Sequence, residues 1–242
     1  MNDGAVTAVV RAKKAIVFDL FHALTSVESG WGGGLPCTSE MLGVDQKAWN
    51  EQLLVRSRDR LVGVKTDPFA IIAEMAHAID PAIPEERIRV ATENRMVRFA
   101  AAVTNIPAET VATLETLKAE GKLLGLITNA DVMEIAAWEE NRIHHLFDST
   151  VHSCRAGMAK PEREIYELSL RELGVSAADA VFVGDGGSNE LRGARDAGMT
   201  AIMITGIIRE ELGSDAIETR RRQADFVIER LGELVATCEV TG

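Results

Sequence analysis

Six short apolar runs, each stopped by small or polar residues, constrain this chain more than any other feature. Four are strong: Ala15-Ile16-Val17-Phe18, Leu123-Leu124-Gly125-Leu126-Ile127, Ala180-Val181-Phe182-Val183 and Thr200-Ala201-Ile202-Met203-Ile204. Two are weaker, Ser149 to His152 and Phe226-Val227-Ile228. A strand with one wet face alternates apolar and polar residues. A near-continuous run marks a strand covered on both faces, which is how parallel sheets are buried. Amphipathic stretches predicted to be helical lie between the runs: Ala108 to Glu120, Asp131 to Asn141, Pro161 to Leu173 and Asn189 to Ala197. The alternation predicts an α/β fold on a doubly wound parallel sheet.

Residues 30 to 104 break this rhythm. They hold no convincing strand, and their helical runs are Lys47 to Asp59, Asp67 to Ile79 and Pro84 to Ala102, with Pro68 and Pro84 suited to first turns. The chain therefore reads as a core of residues 1–29 and 105–242 carrying a helical insert of residues 30–104. Gly30-Trp31-Gly32-Gly33-Gly34, at the entry, is expected to act as a hinge, with Thr104 to Pro107 as the return. Charge narrows the partners. Lys+Arg 26 against Asp+Glu 37 leaves −11, which argues against nucleic acid or an acidic membrane surface, since both need a basic face. Cys37, Cys154 and Cys238 are scattered and unpaired in sequence, which fits a reducing, cytoplasmic setting better than a disulfide framework. No apolar run approaches the ~20 residues of a membrane helix.

In a doubly wound sheet, ligands sit outside the carboxyl ends of the strands, where strand order reverses. The residues following each predicted strand are therefore the candidates. They are Asp19-Leu20-Phe21-His22 after the first, Thr128-Asn129 after the second, Lys160-Pro161 after the third and Gly184-Asp185-Gly186-Gly187-Ser188-Asn189-Glu190 after the fourth. Each has an ordinary structural use: a strand-end Asp turn, a helix cap, a helix start, an Asx turn. Their joint placement points instead to one crevice holding acids, a hydroxyl and a lysine.

That set, in that order, resembles the haloacid dehalogenase superfamily of hydrolases, most of which are phosphatases. The resemblance spans residues 15 to 206, with the insert where that family carries its small helical (type C1) cap on a Rossmann-like core. It implies that Asp19 is the nucleophile, that Thr128 and Lys160 hold the transferred group, and that Asp185 and Glu190 serve a magnesium ion. The residue chemistry agrees. A carboxylate is a competent covalent nucleophile, Lys160 supplies positive charge for an anionic small-molecule substrate, and Thr128 with the Asn129 amide can donate to a phosphoryl oxygen. Magnesium takes one or two carboxylates with waters and phosphate. Asp19, Asp185 and the Phe21 carbonyl would suffice, with Glu190 accepting from a metal-bound water.

Phe21 departs from the phosphatase pattern, which usually has a second Asp there as general acid and base. Relatives with an aromatic at that position include metal-free 2-haloacid dehalogenases. His22 is a substitute proton carrier by its reference pKa near ~6.5, although an extended segment would point it away from the face of Phe21. In the insert, Arg56 and Arg60, four apart, are candidates for binding the substrate anion from a shared helix face. Trp31 is a candidate pocket residue, Trp49 a core one, and His144, His145 and His152 lack metal-site spacing. Three activities stay open: a magnesium-dependent phosphohydrolase acting through an aspartyl-phosphate, a metal-free haloacid hydrolase, and a binding or regulatory protein without turnover. The acidic pair Asp185 and Glu190 favours the first, because clustered carboxylates need a cation.

Overall fold

A computed structural model describes residues 3–27, 34–209 and 214–235. The glycine-rich entry from Gly30 to Gly33, Trp31 and Cys238 lie outside the described residues. All six apolar runs are strands: β1 (Ala15–Phe18), β2 (Leu123–Thr128), β3 (Ser149–His152), β4 (Ala180–Gly184), β5 (Thr200–Ile204) and β6 (Phe226–Ile228). They form one parallel sheet in the order β3-β2-β1-β4-β5-β6. Every residue of β1 and β4 is buried, because alternate side chains enter two different cores. Ile16, Phe18, Val181 and Val183 face one, while Ala15, Val17, Ala180 and Phe182 face the other. That two-sided burial is why these strands show no alternation in sequence.

The helices covering the sheet are α1 (Asp3–Ala12), α7 (Ala108–Ala119), α9 (Arg163–Leu173) and α10 (Glu190–Asp196), with α8 (Ser153–Ala156) and α11 (Ser214–Arg221) beyond the strand ends. Between β1 and α7 come α2 (Thr38–Leu42), α3 (Gln46–Val55), α4 (Ser57–Leu61), α5 (Pro68–Ile79) and α6 (Glu85–Thr104). Asp67 caps α5 by accepting from Ala70 N, with Pro68 in its first turn. These five helices enclose their own apolar cluster, which includes Leu42, Trp49, Ile72, Met75 and Ile88. From the segment after β2, Met133 enters it and Val132 packs against it.

Two predicted helices are corrected. Residues 131–141 form turns and a short 3-10 segment at Trp138–Glu140, not an α-helix. Asp131 Oδ1 accepts from the Met133 and Glu134 amides, and Glu134 Oε2 accepts from the Asp131 amide. These bonds are of the kind that caps a helix start, yet the chain runs on as turns, and Asp131 and Glu134 also pair with Arg60 and Arg95. The run from Lys47 to Asp59 breaks at Arg56 (φ −102°, ψ 18°), which separates α3 from α4, and Ser57 Oγ donates to the Leu54 carbonyl there. Arg56 and Arg60 therefore do not share a helix face. The helix α1 was not predicted; its Val6 and Val10 are buried under the sheet.

Candidate functional site

The order of the sheet reverses at β1, whose neighbours are β2 and β4. The carboxyl ends of these three strands deliver Asp19, Thr128 and Asp185 to one crevice, the usual ligand position of a doubly wound sheet. Lys160 reaches it from the turn before α9. Its Nζ lies 2.6 Å from Asp19 Oδ1 and 2.5 Å from Glu190 Oε2. Glu190 opens α10, and its Oε1 accepts from the Gly186 amide at 3.0 Å. Asp185 Oδ1 accepts from the Gly187 amide at 2.8 Å, which closes the Asx turn foreseen at that motif. Asp19, Asp185 and Glu190 are all buried, and each has a carboxylate oxygen within 4.8 Å of the others.

Burial sets the electrostatics. It raises the carboxyl of Asp19 against the pull of Lys160, and it raises Glu190 well above the ordinary carboxylate range, helped by the Asp19 charge. Burial alone would lower the Lys160 ammonium, but Asp19 and Glu190 hold it above its ordinary value. The lysine is the fixed positive charge of the crevice.

Not every predicted substrate contact faces the crevice. Thr128 lines it, and its buried Oγ1 has no hydrogen-bond partner within the described protein. Asn129 also borders it, but its amide is engaged: Nδ2 donates to the Lys160 carbonyl at 2.9 Å, and Oδ1 accepts from the Lys160 amide at 2.8 Å. Its side chain thus fixes the lysine turn. His22 adopts a left-handed backbone (φ 62°), so it is not extended as expected. Its ring borders the cavity beside Phe21, with Nδ1 3.9 Å from Asp185 Oδ2. Phe21 packs edge-on against Phe99 of α6 at 5.4 Å.

The arginines of the insert part company. Arg56 is not among the cavity residues and meets Glu74 of α5 at 3.6 Å. Arg60 does border the cavity, but its Nη1 is held by Asp131 at 2.9 Å and Glu134 at 3.5 Å. Arg95 of α6 completes this buried network with an Nη2 bond to Glu134 of 2.6 Å, its guanidinium lying 4.5 Å over the Phe99 ring. Burial and the neighbouring Glu134 raise the Asp131 carboxyl, against Arg95 and Arg60. The site has a cavity of about 340 Å³, bounded by Asp19, Thr128, Lys160, Asp185 and Glu190 below, and by Leu53, Ser57, Leu61 and Phe99 of the helices above.

Asp131, Glu134, Arg95 and Phe99 were not anticipated. Two signals were present: an Asp-x-x-Glu spacing directly after Thr128-Asn129, and one arginine on the otherwise apolar face of Ile88, Ala91, Phe99 and Ala102. Among the other residues read from sequence, Trp49 and His152 are buried and Cys154 is half-buried. Burial lowers the His152 imidazole to about 4 and raises the Cys154 thiol, which is therefore no reactive thiolate. Among the described residues, no helix is long and apolar enough to cross a membrane.

The parallel sheet and the acid–lysine crevice at its reversal point define a doubly wound α/β hydrolase built around strand-end carboxylates. Residues 13–198 match the family model described as haloacid dehalogenase-like hydrolase, and the chain belongs to that family. It is 38% identical over 104 residues to the glyceraldehyde 3-phosphate phosphatase of Methanothermobacter thermautotrophicus, covering 42% of this chain and 45% of the relative. It is 33% identical over 129 residues to the enzyme of that name from Methanocaldococcus jannaschii, covering 52% and 53%. The chain thus spans about half the length of these curated relatives. In fold it is similar to the 2-haloacid dehalogenase of Pseudomonas syringae pv. tomato, with a TM-score of 0.61 and 24% identity over 92% of this chain and 96% of that one.

Proposed function

We propose that this chain is a magnesium-dependent phosphohydrolase that acts on a small phosphorylated metabolite through an aspartyl-phosphate on Asp19. One observation carries the reading: three buried carboxylates crowd within 4.8 Å of one another, with only the buried Lys160 and the partly exposed Arg220 to balance them. Such crowding is unfavourable without a further cation. An all-oxygen donor set suits magnesium. Asp19, Asp185 and the Phe21 carbonyl would hold it. Glu190, held by Lys160 and Gly186, would serve the ion from outside its ligand shell by accepting from a metal-bound water. Magnesium, when bound, would neutralise phosphoryl charge and admit the substrate dianion to an acidic crevice.

The residues divide the remaining work. Lys160 holds Asp19 Oδ1, leaving Oδ2 to attack phosphorus as the ester bond to the leaving group breaks. Thr128 Oγ1 and the Asn129 amide donate to the phosphoryl oxygens where charge spreads in the transition state. Asn129, through both its contacts with the Lys160 backbone, keeps lysine and hydroxyl in register. Water then attacks the phosphorus of the aspartyl-phosphate, releasing inorganic phosphate and restoring Asp19. Residues 30–104 are read as a cap over a core of residues 1–29 and 105–242, with Phe99, Leu53 and Leu61 shielding the cavity from bulk solvent. Glyceraldehyde 3-phosphate, named for the relatives, is the first substrate to assay.

A second reading, metal-free hydrolysis of a carbon–halogen bond, draws on Phe21 and Phe99. They form an apolar wall where a phosphatase usually keeps an acid, and a halide leaves without a proton. Thermal melting separates the two. A phosphohydrolase is stabilised by magnesium and further by magnesium with vanadate, a phosphoryl mimic, following RT ln(1 + [L]/Kd). No response to either, together with halide release from 2-haloacids, would overturn the phosphohydrolase reading.

A further inference from the structure

One cation at the crevice comes from outside the segment that matches the family. Arg220 lies near the end of α11, beyond residue 198. Its Nη1 pairs with Asp185 Oδ2 and also sits 3.3 Å from the Asp185 carbonyl. The stem of the arginine is seated as well as its head. A side chain at Gly186 (φ +85°) would place its Cβ 2.9 Å from Arg220 Cβ, so this turn leaves room for the helix to lie against it. Three residues on, Gln223 Nε2 donates to Asn189 Oδ1 at 3.1 Å, a second tie to the same loop.

With Gly187 on Oδ1 and Arg220 on Oδ2, both oxygens of Asp185 are partnered. The local balance is three carboxylates, Asp19, Asp185 and Glu190, against two fixed cations, Lys160 and Arg220. The two cations differ in freedom. The Lys160 side chain is 2% exposed, whereas that of Arg220 is 24% exposed on a long stem that can reach water.

We propose that Arg220 is an intramolecular competitor for Asp185 Oδ2, so that binding of a divalent cation and docking of α11 oppose one another. The proposal rests on the magnesium reading above and adds to it a residue that sets the affinity for the ion. Linkage makes the effect reciprocal. If Arg220 on Asp185 weakens magnesium, magnesium on Asp185 loosens α11 by the same factor. A guanidinium charge fixed a few ångströms from the ion, at an effective dielectric near ~20, would exceed a tenfold effect; the freedom of Arg220 to swing into water reduces it to about that size.

The test is calorimetric titration of magnesium alone, without substrate, into the full chain and its Arg220→Gln, Arg220→Lys and Asp185→Asn variants. Hydrogen exchange of residues 214–221, with and without the ion, is the second readout. Arg220→Gln should bind magnesium about tenfold tighter than wild type. Arg220→Lys, which keeps the charge but loses the forked contact, should fall between. Asp185→Asn should bind weakly whatever stands at 220. In wild type, saturating magnesium should speed exchange in α11, and in Arg220→Gln exchange should be fast with or without it. If wild type binds magnesium and Arg220→Gln binds it equally or more weakly, the proposal is overturned while the magnesium reading stands. If no form binds magnesium, both fall. Should Arg220→Gln fold poorly, Arg220→Lys and wild-type exchange decide the matter, because an arginine that merely buttresses the loop would leave α11 unaffected by the ion.

Discussion

Two buried clusters of charge lie a few residues apart and are built on opposite principles. The network of Asp131 and Glu134 with Arg60 and Arg95 is balanced, two against two, with both acids paired at 2.6–2.9 Å. The crevice of Asp19, Asp185 and Glu190 has three acids against Lys160 and Arg220. A balanced buried network is closed: it ties α4 and α6 to the segment after β2 and has no use for a further ion. An unbalanced one is poised to take a cation, and it costs stability until it does. Burying charge without full compensation is tolerated where chemistry needs it. The comparison therefore assigns structure to the first cluster and reaction to the second, although both border the same cavity.

The sharpest break is at the nucleophile. Asp19→Asn removes one charge from the crowded side and should abolish turnover, since an amide is a poor nucleophile. It should leave the melting temperature equal or higher, because burial raises the Asp19 carboxyl and its ionised form is disfavoured in the fold. Activity at a tenth of wild type would take Asp19 out of the mechanism. The mirror experiment is Glu134→Ala, which strands the buried guanidinium of Arg95 while Arg60 keeps Asp131. It should cost about 3–5 kcal/mol of stability, read from denaturant midpoints. Asp185→Asn, with Arg220 able to reach water, should cost far less. Equal losses at the two sites would erase the distinction.

Phe21→Asp adds a fourth acid to the crevice and should sharpen it. General acid catalysis contributes about 10²–10⁴-fold, most for basic leaving groups. Wild type should therefore fall steeply in kcat/KM as leaving-group pKa rises, and the variant should flatten that slope with magnesium saturating, while melting earlier without magnesium. If wild type hydrolyses alkyl phosphates as well as aryl ones, another group supplies the proton, and His22→Asn is the variant that tests it.

The gentlest test is pH. Folded Asp19 and Glu190 are raised carboxyls. The stability they contribute is full below the unfolded carboxylate range and is lost as pH rises through their folded values. Magnesium should offset that loss. The gap in unfolding free energy between magnesium and chelator should thus be small in acid and open toward neutrality, reaching about 2.7 kcal/mol at a hundred times the Kd. A gap independent of pH would separate the ion from these acids.

Much of this was legible in one dimension. The six strands could be read because two-sided burial leaves unbroken apolar runs, and Asp19, Thr128, Lys160, Asp185 and Glu190 because doubly wound sheets place ligands at strand ends. Helix 131–141 was misread because its amphipathic spacing and its Asp-x-x-Glu start both read as helix, whereas the segment forms turns and carries acids that pair with Arg60 and Arg95 of the insert. Arg56 and Arg60 were paired by a spacing that holds only within one helix, and the chain breaks at Arg56.

What the sequence determined by itself is therefore what local physics dictates: a buried parallel sheet, its helical insert, and the strand-end residues exposed to a ligand. Only the tertiary structure decided which charges meet. Arg60 was offered as a substrate contact and is spent on Asp131 and Glu134, while Arg220, one of two successive arginines at the end of α11, lands on Asp185. Pairing across 71 and 35 residues is set by how helices dock on the sheet, and no local pattern of side chains encodes that distance.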